Sequence, residues 1–173
     1  SLTYLKHALQ PFGSILTLYK LAETAANHIS LAPVLFETNS LEFKPEQQEL
    51  LNKVTSILKN RPEIKIKTCS ISTLQDEKII HYNLLETETT RLEEKYSKEN
   101  SQQSKVKLAE EIKNLNIPKE RILQQMIELA DQRAAKVKAY FIGKADIQPA
   151  RILNCLSVVK TEEDLQPNVE LQI

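Results

Sequence analysis

Two segments of strict period-two alternation, Ile64-Lys65-Ile66-Lys67-Thr68-Cys69 and Asn168-Val169-Glu170-Leu171-Gln172-Ile173, limit what this chain can fold into. Side chains of a strand point alternately to opposite faces, so each segment belongs in a sheet covered on one side. In the first, Ile64, Ile66 and Thr68 share the buried face, and the aliphatic stems of Lys65 and Lys67 cover the other. Between the two segments the apolar spacing is helical, so a sheet must coexist with helices packed on it.

Further strands and helices follow from local signals. Pro33-Val34-Leu35-Phe36 is a short apolar run fit for a buried strand, and Glu37-Thr38-Asn39-Ser40 reads as a turn. Pro45 suits the first position of a helix, with Glu46 and Glu49 at the positive end of its dipole. Leu50, Leu51, Val54, Ile57 and Leu58 form its buried stripe, and Asn60-Arg61-Pro62 ends it. A second helix is predicted from Pro118, with Ile122, Met126, Ala130, Val137 and Phe141 inward and Gly143 as its C-terminal cap. Met126 is read there as a gap filler. After Pro149, residues 151–159 form one strand or a bent one.

Residues 74–117 are polar, charged and rich in helix formers, with Ile79, Ile80, Leu84, Leu85, Leu92, Tyr96, Leu108, Ile112 and Leu115 as sparse apolar positions. The spacing predicts an inserted helical hairpin, turning at Lys98–Ser104 with Ser104 as N-cap, and projecting from the body as a solvated arm. Residues 2–29 carry an amphipathic pattern broken at Pro11. That segment packs on its own domain or an upstream one, or lies on a membrane, although its polar face lacks the Lys/Arg excess of membrane-surface helices. The expected organisation is an N-terminal helical segment over 1–32 and one mixed α/β domain over 33–173, with a sheet of about four strands. The chain begins Ser1-Leu2 with no signal peptide or long apolar span in view, as a processed protein or an excised piece would.

Composition excludes several functions. With two glycines in 173 residues, no dinucleotide fingerprint or phosphate-binding loop can be written. Lys plus Arg and Asp plus Glu are equal, at 23 each, and there is no Trp, so neither charge nor stacking favours nucleic acid. No cofactor is expected. His7, His28 and His81 lie far apart and form no zinc spacing with Cys69 and Cys155. The two cysteines are read as buried thiols on strands, with a disulfide in an oxidising compartment as the alternative. Enzyme chemistry finds little footing: Ser70, Ser72 and Thr73 lack a marked His and acid, and Asp76-Glu77 would bind a metal only with converging ligands.

Several segments, in order, resemble OmpA-like domains of bacterial envelope proteins. Val34-Leu35-Phe36-Glu37-Thr38-Asn39-Ser40 with Pro45-Glu46 and the stripe to Leu58 resembles the opening strand, turn and helix, and Pro62-Glu63-Ile64-Lys65-Ile66 the second strand. Leu129-Ala130-Asp131-Gln132-Arg133-Ala134, running to Val137, Tyr140 and Phe141, is similar to the helix motif L-S-x-x-R-A-x-x-V-x-x-Y-L. Ile147-Gln148-Pro149-Ala150-Arg151-Ile152 resembles the lead into the third strand, and Asn168-Val169-Glu170-Leu171 the closing strand. The resemblance implies a peptidoglycan grip in which an Asp of a G-H-T-D turn and the Arg of the helix motif hold a diaminopimelate end. A zwitterion needs a carboxylate for its ammonium and a forked guanidinium for its carboxylate.

Here the Arg corresponds to Arg133, but aligning the second strand puts Ser70-Ile71-Ser72-Thr73 on the turn and Thr73 on the Asp position. Asp76 would replace that acid only if the loop shifts; otherwise Arg133 serves in a surface or sheet-edge salt bridge. The long insertion, together with Tyr4-Leu5-Lys6 and Pro11-Phe12, resembles the C-terminal end of AsmA-like envelope proteins. That resemblance implies the periplasmic side of a Gram-negative envelope, in outer-membrane assembly or lipid transport. The expected function is a non-enzymatic interaction module that has lost peptidoglycan binding; the alternative is a peptidoglycan anchor. Expected partners are other envelope proteins or the rest of a longer chain, with membrane contact through residues 2–29 as a further option.

Overall fold

The computed structural model describes residues 31–173; the amphipathic segment 2–29 lies outside them. Five strands form one mixed sheet. They are β1 (Val34–Leu35), β2 (Ile66–Thr73), β3 (Ile152–Asn154), β4 (Val158–Lys160) and β5 (Asn168–Gln172). The order is β1-β5-β2-β3, with β4 continuing the β3 edge along β2. β5 is antiparallel to both neighbours, pairing Val169 with Val34 and Ser70 with Val169, while β3 and β4 run parallel to β2. The edge strand is bent. Asn154 faces Thr68 and Val158 faces Ile71, so three outer residues span two inner ones and bulge the edge.

Among the described residues, four α-helices accompany the sheet: α1 (Gln47–Asn60), α2 (Leu74–Lys98), α3 (Gln102–Lys113) and α4 (Lys119–Ala139). The α1 stripe Leu51, Val54, Ile57 and Leu58 is buried with Phe36, Ile66, Val137, Phe141, Ile152, Val169 and Leu171 in the main core. Arg151 closes the far end of α1, donating to the carbonyls of Leu58, Arg61 and Ile64 at 2.8–2.9 Å. Those carbonyls include groups that a helix end leaves without partners, and a guanidinium suits the negative end of the dipole. A second cluster, Ile80, Leu84, Ile117, Ile122 and Met126, fastens the base of the hairpin to α4.

Local corrections have local causes. Helix α1 begins at Gln47 rather than at Pro45, and the Gln47 side chain is turned back to accept from Leu35 N–H at 3.1 Å. The N-cap of α3 is Ser101, not Ser104: Glu99 Oε1 accepts from the N–H groups of Asn100 and Ser101, fixing the turn early. Gly143 is no left-handed cap; it lies in a π-helical turn, Tyr140–Lys144, and the left-handed residue is Asp146 at φ 56°. The predicted turn at residues 70–73 does not exist, because β2 continues through Thr73 and α2 follows directly. Its serines and threonine hid a strand that is buried along Ser70-Ile71-Ser72-Thr73.

Candidate functional site

Asp76 and Arg133 meet under the β1–α1 turn, and both side chains have 0% exposure. Asp76 arrives on the first turn of α2. Thr73, at the junction of β2 and α2, donates its N–H to Asp76 Oδ2 at 3.1 Å, the return half of a capping box. Arg133 arrives from the middle of α4, on the face that also buries Ala130, Ala134 and Val137. Ala130 and Ala134 leave room for the long side chain to run between helix and sheet.

The pair is bidentate, with Nη1 to Oδ2 at 2.7 Å and Nη2 to Oδ1 at 2.9 Å. Arg133 Nε donates to Ser40 O at 3.0 Å and Nη2 to Glu37 O at 3.1 Å, while the Phe36 ring lies 5.5 Å from the guanidinium carbon. Asp76 also accepts from Asn39 N–H at 2.6 Å and from Ser72 Oγ at 3.1 Å. Taking two charges out of water costs several kcal/mol per ion, roughly, and is repaid only when the remaining donors and acceptors are also filled. Here they are. The pair thereby ties together the 37–40 turn, the end of β2, the start of α2 and the middle of α4.

Burial by itself pushes the Asp76 carboxyl up. The Arg133 hydrogen bond, the Asn39 N–H, the Arg133 charge and the Thr73 N–H outweigh it and hold the group below its ordinary value. A carboxyl lowered by folding adds stability above its unfolded value, about 3.9, and that stability disappears as pH falls through the folded value. The melting temperature is therefore expected to fall on the acid side of about pH 4, and Asp76→Asn to flatten that fall by about one proton. Melting curves from pH 3 to 7 check this; parallel curves for the two proteins would contradict the assignment.

The three residues assigned to the ligand from sequence do converge, though not as expected. Thr73 is buried at the end of β2, opposite Lys160 of β4, and contributes its backbone N–H rather than its hydroxyl to the acid. Asp76 reaches Arg133 without any loop shift, because the first turn of a helix brings the third residue back to the N-cap. Arg133 sits neither at the surface nor at a sheet edge. Sequence reasoning missed Asn39, Glu37, Ser40 and Ser72 as members of the cluster. Asn39 carried the one available signal: it stands at φ 49°, in the left-handed region that Asn tolerates better than most residues.

Cys69 and Cys155 are joined as a disulfide with Cα atoms 4.7 Å apart, the bonded state of the two left open by sequence and not the pair of free thiols. Both residues are half-buried. The bond ties β2 to the first residue of the bulge in the edge strand. Ser72 donates its hydroxyl to Asp76 Oδ2, a carboxylate already held by Arg133. Among the described residues, no three His, Cys, Asp or Glu side chains converge as a metal would require.

The chain matches no family model and none of the curated proteins. Among solved structures it is similar to the OmpA-like domain of FopA1 from Francisella tularensis subsp. tularensis SCHU S4. The match has a TM-score of 0.50 and 8% identity over 84% of this chain and 71% of that one. At such identity the likeness speaks for the fold, a mixed α/β domain of the OmpA-like type.

Proposed function

We propose that this chain is a non-enzymatic interaction module of a bacterial cell-envelope protein, an OmpA-like fold whose ligand grip has turned inward. The carrying observation is the Asp76–Arg133 pair. An acid and the arginine of the helix motif, the two kinds of group with which the resembled family holds a zwitterion, here satisfy each other, with neither exposed. A ligand would have to break a bidentate pair and open the 37–40 turn that covers it. The disulfide supports an oxidising compartment such as the periplasm. The resemblance of the long insertion and the N-terminal segment supports a place at the end of an AsmA-like protein, in outer-membrane assembly or lipid transport. The partner is then another envelope protein or the remainder of a longer chain.

One observation favours a second reading, a peptidoglycan anchor: the carboxylate and the guanidinium do come together at the junction of the second strand and the Arg helix. Co-sedimentation with purified sacculi separates the two. The interaction-module reading expects no retention above a control protein. Retention that soluble diaminopimelate-containing muropeptide competes away would establish the anchor instead, with no need for a variant that must fold.

A further inference from the structure

We propose that the tip of the α2–α3 hairpin is a docking surface for an anionic lipid membrane. Helix α2 has 25 residues, and its Glu88 pairs with Arg121 in the first turn of α4. Ten residues lie beyond Glu88, so at 1.5 Å per residue the tip stands about 15 Å past that point. Helix α3, which returns from the tip, buries none of its residues. The arm therefore places its end clear of the domain.

Charge is sorted along this arm. From Lys95 to Leu108 there are four lysines (95, 98, 105 and 107) against Glu99, a net of 4 − 1 = +3. From Glu86 to Glu94, four acids (86, 88, 93 and 94) stand against Arg91, a net of 1 − 4 = −3. Four of the 23 cations of a chain of zero net charge thus stand at this tip, with one acid among them. Lys95, Lys98 and Lys107 line one open cleft of about 460 Å³ together with Glu99, Ser104 and Leu108. Lys105 lies over the Tyr96 ring at 5.5 Å. Among the described residues none of the four lysines is ion-paired, whereas Glu99 directs Oε1 to two backbone N–H groups.

Apolar groups accompany these charges. Tyr96 is 40% exposed and Val106 53% exposed. Lysines with long aliphatic stems, a tyrosine and a branched aliphatic side chain suit the boundary between headgroups and acyl chains. Lysine ammoniums act as point charges on a diffuse anionic surface, whereas the planar fork of arginine, absent from the tip, suits specific bidentate recognition. A single aromatic offers no stacking platform for nucleic acid. This surface is separate from the Asp76–Arg133 cluster.

The absence of Trp from the chain makes Tyr96→Trp a unique reporter. The full chain is mixed with vesicles of about one third phosphatidylglycerol in phosphatidylcholine, and with phosphatidylcholine alone. The expected result is binding to the anionic vesicles only, weakened by salt, with a blue shift of the reporter's indole emission. Changing Lys95, Lys98, Lys105 and Lys107 together to Gln is expected to weaken binding about tenfold or more while leaving the melting temperature unchanged. No binding, equal binding to neutral vesicles, or binding that survives the lysine changes would overturn the proposal. So would sedimentation with an unshifted reporter, which would move the contact to another part of the chain. Equal affinity for soluble polyglutamate would overturn it in favour of an acidic protein partner.

Discussion

Asp76→Ala and Arg133→Ala are each expected to destabilise the domain by about 3–5 kcal/mol, because each leaves the partner's charge buried and unpaired. For a chain of this size that corresponds to a drop in melting temperature of roughly 10 °C or more. Asp76→Ala should cost more. It removes a small side chain and leaves the guanidinium dry beneath Phe36 and the 37–40 turn. Arg133→Ala opens a larger polar space that water can enter, while Asp76 keeps donors from Asn39, Ser72 and Thr73. The double replacement should lose clearly less than the sum of the single losses, since both groups belong to one network. Denaturant unfolding of the four proteins gives the cycle. Single losses under about 1 kcal/mol, or strict additivity, would show that the pair does not cross-link these elements.

The second large effect concerns the disulfide. Cys69 and Cys155 are 86 residues apart in sequence, so the bond closes a long loop in the unfolded chain. Loss of such a bond is expected to cost about 2–4 kcal/mol, on a chain-entropy account. Reduction, or Cys69→Ser with Cys155→Ser, should therefore lower the unfolding midpoint. The faster amide exchange should concentrate around residues 152–160, because the disulfide holds the bulged edge against β2 at a point where the ladder is interrupted. Thiol counting on denatured, unreduced protein from its native compartment is the direct check. Two titrating thiols there would remove the bond, and with it one support for an oxidising compartment.

How much of this could be read without the structure depends on the range of the interaction. The stripe Ile122, Met126, Ala130, Val137 and Phe141 is buried throughout, and β5 lies where its alternation puts it. These are signals of period and composition carried by neighbouring residues. The end of β2 falls on a turn only through its alignment with the G-H-T-D segment, which three hydroxyl side chains in four residues do not contradict. Packed against α4 and paired with β4 and β5, Ser70 to Thr73 are strand residues. Asn114 to Pro118, a short link, likewise gives no hint that the chain returns from the hairpin to lay α4 against α2.

What the sequence determined by itself was therefore the kind and order of most elements, a pair of helices over residues 74–113, and the presence of one arginine in a recognisable helix motif. Only the tertiary structure decided what that arginine does. Asp76 and Arg133 are 57 residues apart, and the carbonyls of Glu37 and Ser40 are more than 90 residues from Arg133. No local period records a meeting at such separations. Whether a guanidinium faces a ligand or a buried carboxylate is set by how the hairpin and α4 close over β2, a matter of packing rather than of spacing.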